Sequence, residues 1–132
     1  MPSVNIFAVV VAAVLSMVTG FIWYSMPVFG TMWVKLIGKK AEDMNGSSMS
    51  YAMTSVGAIV SAVVFAMFVS YLGVSTLVDG LALGALVWVG FTFVPFFTNG
   101  IFENKNFKLV LIDSGYFLAN FLMMGVLFAL WK

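Results

Sequence analysis

Four stretches of this chain, about 5–26, 51–72, 79–97 and 107–131, are apolar almost throughout and hold only three charged side chains, Asp79, Lys108 and Asp113. A helix needs about 20 apolar residues, at about 1.5 Å each, to cross a hydrocarbon layer of roughly 30 Å. Each stretch meets that length. With 63% hydrophobic and 8% charged residues in 132, the chain also lacks the polar side chains that would cover a globule in water, where about a quarter of residues are usually charged. The expected solvent is lipid. None of the stretches alternates apolar and polar residues as a membrane strand does, so the expected class is an all-α integral membrane protein with four transmembrane helices in a single domain.

The first stretch has no Lys or Arg before it, a long apolar run and no small-residue cleavage site, so it reads as a retained helix rather than a signal peptide. It ends at Pro27. After it, residues 28–40 mix Phe29, Trp33, Leu36 and Ile37 with Lys35, Lys39 and Lys40, the composition of a short helix in the headgroup region. Residues 41–50 read as a solvated loop. Asp79 is placed to cap the third helix, Pro95 falls in its last turn, and Asn99-Gly100 reads as a turn. Five of the six Lys lie in the first and third connections, Lys132 alone on the opposite side. The positive-inside rule then puts those connections in the cytoplasm and both termini outside an inner cell membrane.

No Cys and no His occur in the sequence. That removes zinc sites, iron-sulfur clusters and His-based catalytic triads from consideration. No cofactor is expected. A net charge of +1 without a long basic run gives nucleic acid nothing to bind. The ten Met, among them Met49, Met53, Met123 and Met124, read as packing material rather than a copper site. The aromatic run 91–97 reads as part of an interfacial belt.

Membrane helices recognise each other through small residues and hydrogen bonds, because apolar side chains gain little by leaving lipid. Small residues recur every four positions: Ala8, Ala12, Ser16 and Gly20 on the first helix, and Thr54, Ala58, Ala62, Ala66 and Ser70 on the second. Gly80 with Gly84, Gly115 with Ala119, and Gly125 with Ala129 continue the theme. Gly115 and Ala119 lie opposite Asp113 and Asn120 on the fourth helix. If the polar face looks inward, the small face is left for a second subunit, and a homo-oligomer or a complex with other membrane subunits is expected.

Asp113 is the one ionisable candidate inside a stretch, about five residues in and therefore shallow rather than central, which discounts the cost such a group has in lipid. It shares a helix face with Tyr116 and Asn120, and Asn5, Ser16, Thr19 and Trp23 form a matching stripe on the first helix. Topology brings Trp23, Tyr24, Asn99, Glu103 and Asp113 to one cytoplasmic-side layer, with Lys35 or Lys108 as counter-charges. These ten polar and aromatic residues are the candidate cluster.

The block Gly20-Phe21-Ile22-Trp23-Tyr24-Ser25, with Asn5, Phe29-Gly30, Trp33, Phe102-Glu103, Lys108-Leu109, Ile112-Asp113-Ser114-Gly115-Tyr116, Met124-Gly125 and Trp131, resembles a family of small bacterial membrane proteins, domain of unknown function seventeen sixty-one. The resemblance spans nearly the whole chain. It implies four helices but no activity, substrate or cofactor, and its pattern often has Asn at the position of Asp113. Three functions follow for testing: a non-enzymatic protein acting by assembly; a small channel or carrier with a polar path along the first and fourth helices; and, with no motif behind it, an enzyme using Asp113, Tyr24 or Glu103 as acid or base.

Overall fold

A computed structural model describes residues 3–38 and 48–132, and the regular elements among them are all helical. Helix α1 covers Ile6–Trp23, α2 Thr31–Ile37, α3 Ser48–Leu72, α4 Leu77–Trp88, α5 Val94–Phe102 and α6 Phe107–Leu130. A π-turn, Val89–Phe93, joins α4 to α5 in one helix, Leu77–Phe102. Among the described residues, four helices are therefore long and apolar enough to cross a membrane.

The ends of these helices differ from the sequence reading in instructive ways. Asn5 caps α1 by accepting from the Ala8 N–H at 3.2 Å, but α1 stops at Trp23 rather than Met26. An α-helix continued through Pro27 would drive the proline ring into the Trp23 carbonyl. The chain instead turns extended at Ser25 (ψ 152°) and restarts with Pro27 in the first turn of the π-helical Met26–Gly30, where a missing N–H costs nothing. The corner is tight: a Cβ on Gly30 would overlap the backbone of Tyr24 and Ser25. Helix α2 ends at Gly38, φ 74°, a left-handed stop that glycine accepts without strain. It supplies the helix expected within residues 28–40; residues 39–40 fall outside the described residues.

Helix α3 begins at Ser48, so the last three residues of the expected loop are helical and 41–47 lie outside the described residues. At the next start it is Thr76, not Asp79, that caps: its hydroxyl accepts from the Asp79 N–H at 3.1 Å. Asp79 sits in the first turn, where a carboxylate meets the positive end of the helix dipole. The third long helix runs on to Phe102, five residues past Phe97. The wider i→i+5 bonding of the π-turn just before Pro95 loosens the ladder that a proline would otherwise break. Asn99 and Gly100 are consequently helical, and the turn comes later, with Asn104 at φ 54°. Gly100 serves packing instead: a Cβ there would strike Val110.

Helix α6 is the centre of the fold. From Leu109 to Ala129 only Leu111 is exposed. On one side α4 lies against it at the closest possible approach, because a Cβ on Gly80 or Gly125 would overlap the other's backbone, and one on Gly84 would overlap Phe121. On the other side α1 contributes Ala8, Ala12 and Ser16, all buried. Helix α3 closes the core with Ala62, Phe65, Ala66 and Val69, and the Phe65 ring stacks on Phe121 at 5.7 Å. These four residues all belong to the C-terminal half of α3. Its first half, from Ser48 to Ser61, has no buried residue.

Candidate functional site

The end of α1 meets the beginning of α6 through aromatic donors. The Tyr24 hydroxyl donates to Asp113 Oδ1 at 2.8 Å, and the Trp23 indole N–H donates to the Ile112 carbonyl at 2.9 Å. From the opposite side the Trp88 N–H donates to the Ser114 carbonyl at 2.6 Å. The Ser114 hydroxyl, fully buried, donates back to the Val110 carbonyl. One turn deeper, the Tyr116 hydroxyl donates to the Ser16 carbonyl at 2.8 Å. Trp33 of α2 sits edge-on to Tyr24, 5.0 Å between ring centres, and Tyr24 sits edge-on to Tyr116 at 5.8 Å. Aromatic side chains suit this place because each presents an apolar body and one polar tip.

Trp23, Tyr24, Asp113 and Tyr116 thus converge, as the topology suggested. Asn99 and Glu103 do not join them: Asn99 is exposed on α5, and Glu103 lies on the surface in an ion pair with Lys105 at 2.9 Å. The continuation of α5 to Phe102 carries both past the layer. Nor do Lys35 and Lys108 stand as counter-charges, since Lys105–Glu103 is the one ion pair among the described residues. Asp113 is met by a hydroxyl instead. Thr19 is spent on its own helix, donating to the Leu15 carbonyl at 2.7 Å. Asn5 stands at the far end of the bundle, where the Ser3 N–H donates to Ser70 Oγ and the Lys132 ammonium donates to the Val74 carbonyl at 2.5 Å.

The small face of α6 is also resolved differently. Gly115 is covered by the Trp23 ring, whose Cζ2 lies 3.1 Å from where a Cβ would be. It is therefore a seat for Trp23 within the chain, and the reason for leaving that face to a second subunit falls away. Helical spacing places Trp23 on the polar stripe of α1; that its ring needs a glycine opposite depends on an inter-helix distance that spacing along one helix does not contain.

Ser16 and Asn120 meet at a second place, deeper in the bundle. With Thr54, Gly57, Ala58 and Ser61 of α3 and Tyr116, Phe117, Phe121 and Met124 of α6, they line a cavity of ≈ 260 Å³. Another cavity, of ≈ 390 Å³, lies on the same three-helix seam toward the chain termini, between Ser3–Asn5, Ala66–Ser70 and Phe128–Lys132. Ala12, Ala62 and Phe65, all buried, lie between the two along α1 and α3. Trp33, Trp88 and the α3 side of the inner cavity were not anticipated. For the two tryptophans the available signal was the indole N–H itself, which needs a partner when it is covered.

Comparison with known families now places the chain. The profile described as "Protein of unknown function (DUF1761)" matches residues 7–129, and the chain belongs to that family. No curated protein matches it, and no solved structure does.

Proposed function

We propose that this member of an uncharacterised family is a non-enzymatic, multi-pass protein of the inner cell membrane that works by assembly with a second copy of itself. The observation that carries the reading is the contrast along α3. Ala8, Ala12 and Ser16 of α1, Gly80 and Gly84 of α4 and Gly125 of α6 are buried inside the chain, whereas Gly57 has nothing within 4 Å of a built Cβ and lies in a half-helix without a buried residue. Thr54, Ser55, Gly57 and Ser61 on that half offer the small and hydroxylated surface through which membrane helices associate. Lys35, Lys105 and Lys108 belong to connections at one end of the bundle and Lys132 to the other, which supports a cytoplasmic placement for the first set and outward-facing termini.

Mass in lipid nanodiscs tests the assembly. Wild type should exceed one chain, and Gly57→Leu, which has room for its side chain inside the monomer, should return a single chain. A foreign subunit co-purifying at fixed ratio would replace the second copy by an accessory role. A monomeric wild type with no such companion ends the reading.

A second reading, a small carrier, is favoured by one observation: two cavities on one seam with a buried apolar plug between them. The route would follow α1, α3 and α6 rather than α1 and α6 alone. Solute flux into liposomes that vanishes when Ala62 is replaced by Phe would support it. No flux for any small neutral or charged solute would remove it.

A further inference from the structure

The inner cavity holds two polar atoms that the fold leaves without partners. Ser16 is 2% exposed and Asn120 5%, and neither Ser16 Oγ nor Asn120 Oδ1 makes a hydrogen bond among the described residues. The omission is specific. Thr19, Thr54, Ser55 and Ser114 each donate to the carbonyl four residues earlier, which is how a helix ordinarily disposes of a hydroxyl in an apolar setting. Ser16 does not, and the neighbouring Tyr116 hydroxyl, which could have served Asn120, is committed to the Ser16 carbonyl. A buried polar atom with no partner is costly enough that native folds rarely leave one.

The cavity supplies the context for both atoms. Its volume is ≈ 260 Å³, several times the roughly 30 Å³ share of one water and of the order needed by one substituted ring. No charged residue lines it, Phe117 and Phe121 form one wall, and the α3 wall is the uncovered half-helix. A ligand that fits must be neutral, must offer a hydrogen to Asn120 Oδ1, can accept one from Ser16 Oγ, and must carry a flat apolar body. One hydroxyl satisfies both atoms, since it donates and accepts at once.

We propose that the cavity among α1, α3 and α6 is a binding site for the hydroxylated aromatic head of a lipid-soluble molecule, of the phenol or quinol class, entering from the membrane beside the open half of α3. Asn120 and Ser16 fix the hydroxyl. Phe117 and Phe121 take the ring face. The site shares Thr54, Gly57 and Ser61 of its α3 wall with the surface proposed for assembly, and differs from it in the two enclosed groups, Ser16 and Asn120.

The test uses the full chain in phosphatidylcholine nanodiscs, titrated with 4-pentylphenol and, separately, with its methyl ether, empty discs serving as the blank. Saturable phenol binding at least tenfold tighter than ether binding is expected, a factor that corresponds to about 1.4 kcal/mol. Asn120→Leu should lose that discrimination while keeping its helical circular dichroism and wild-type mass. Ala58→Phe, which fills the cavity, should abolish saturation for both probes. Equal binding of phenol and ether, or no saturable binding, overturns the proposal and leaves a cavity that holds only water. Loss of the phenol–ether discrimination in Asn120→Leu with unchanged mass separates this site from assembly, which Gly57→Leu addresses through mass.

Discussion

The two faces of α6 are built on opposite principles. Toward α4 the helices touch backbone to backbone at Gly80, Gly84 and Gly125, and toward the first half of α3 they stand apart around a cavity of ≈ 260 Å³. In the membrane placement proposed above, close contact is what holds helices together, because burial from water contributes little once a side chain is in hydrocarbon. The α4 side is therefore the part of the fold that determines stability. The α3 side contributes through Ala62, Phe65, Ala66 and Val69 and leaves its other half free for a ligand or a neighbour.

If that division is correct, substitutions should rank by face. Gly125→Leu should cost the most, about 3 kcal/mol or more from overpacking against Gly80, seen as a collapse of the thermal unfolding midpoint in detergent. A folded Gly125→Leu of near wild-type midpoint would erase the distinction between the seams. Next comes Tyr24→Phe, which takes the hydroxyl from the Asp113 carboxyl group in a half-buried hydrogen bond and should cost about 1.5 kcal/mol. Asp113→Asn keeps an acceptor for Tyr24 and should cost less than that by the same thermal midpoint. A larger loss for Asn than for Phe would show that the ionised group itself matters.

Trp88→Phe removes the bond to the Ser114 carbonyl and should lower stability by about 1 kcal/mol, with the indole fluorescence change locating the loss on the α4 side. The smallest effect belongs to the open face. Gly57→Leu should fall within about 0.5 kcal/mol of wild type while altering mass in lipid, so stability and assembly would respond to different halves of the molecule.

Much of the architecture is legible in the sequence. Length and hydropathy locate four long helices. Four-residue spacing of small residues identifies Ala8, Ala12, Ser16, Gly80, Gly84 and Gly125 as packing positions, and all are buried. The polar cluster was legible where topology alone brings helix ends together, as for Tyr24 and Asp113. It was not legible for Glu103 and Asn99, because one π-turn at Val89–Phe93 carries α5 onward and moves both outward. Gly115 shows the same limit: periodicity identifies it as a small residue on one face but cannot say that Trp23 fills the notch.

By itself the sequence determined the helical class, the number of helices long and apolar enough to cross a membrane, and the family, since these depend on composition and on periods of 3.6 residues along a single element. Only the tertiary structure decided which small faces are closed and which is open, that Asp113 meets a tyrosine and not a lysine, and that Ser16 and Asn120 share a cavity without partners. Those outcomes depend on distances between helices, which are set by the side chains of both at once and are written in neither alone.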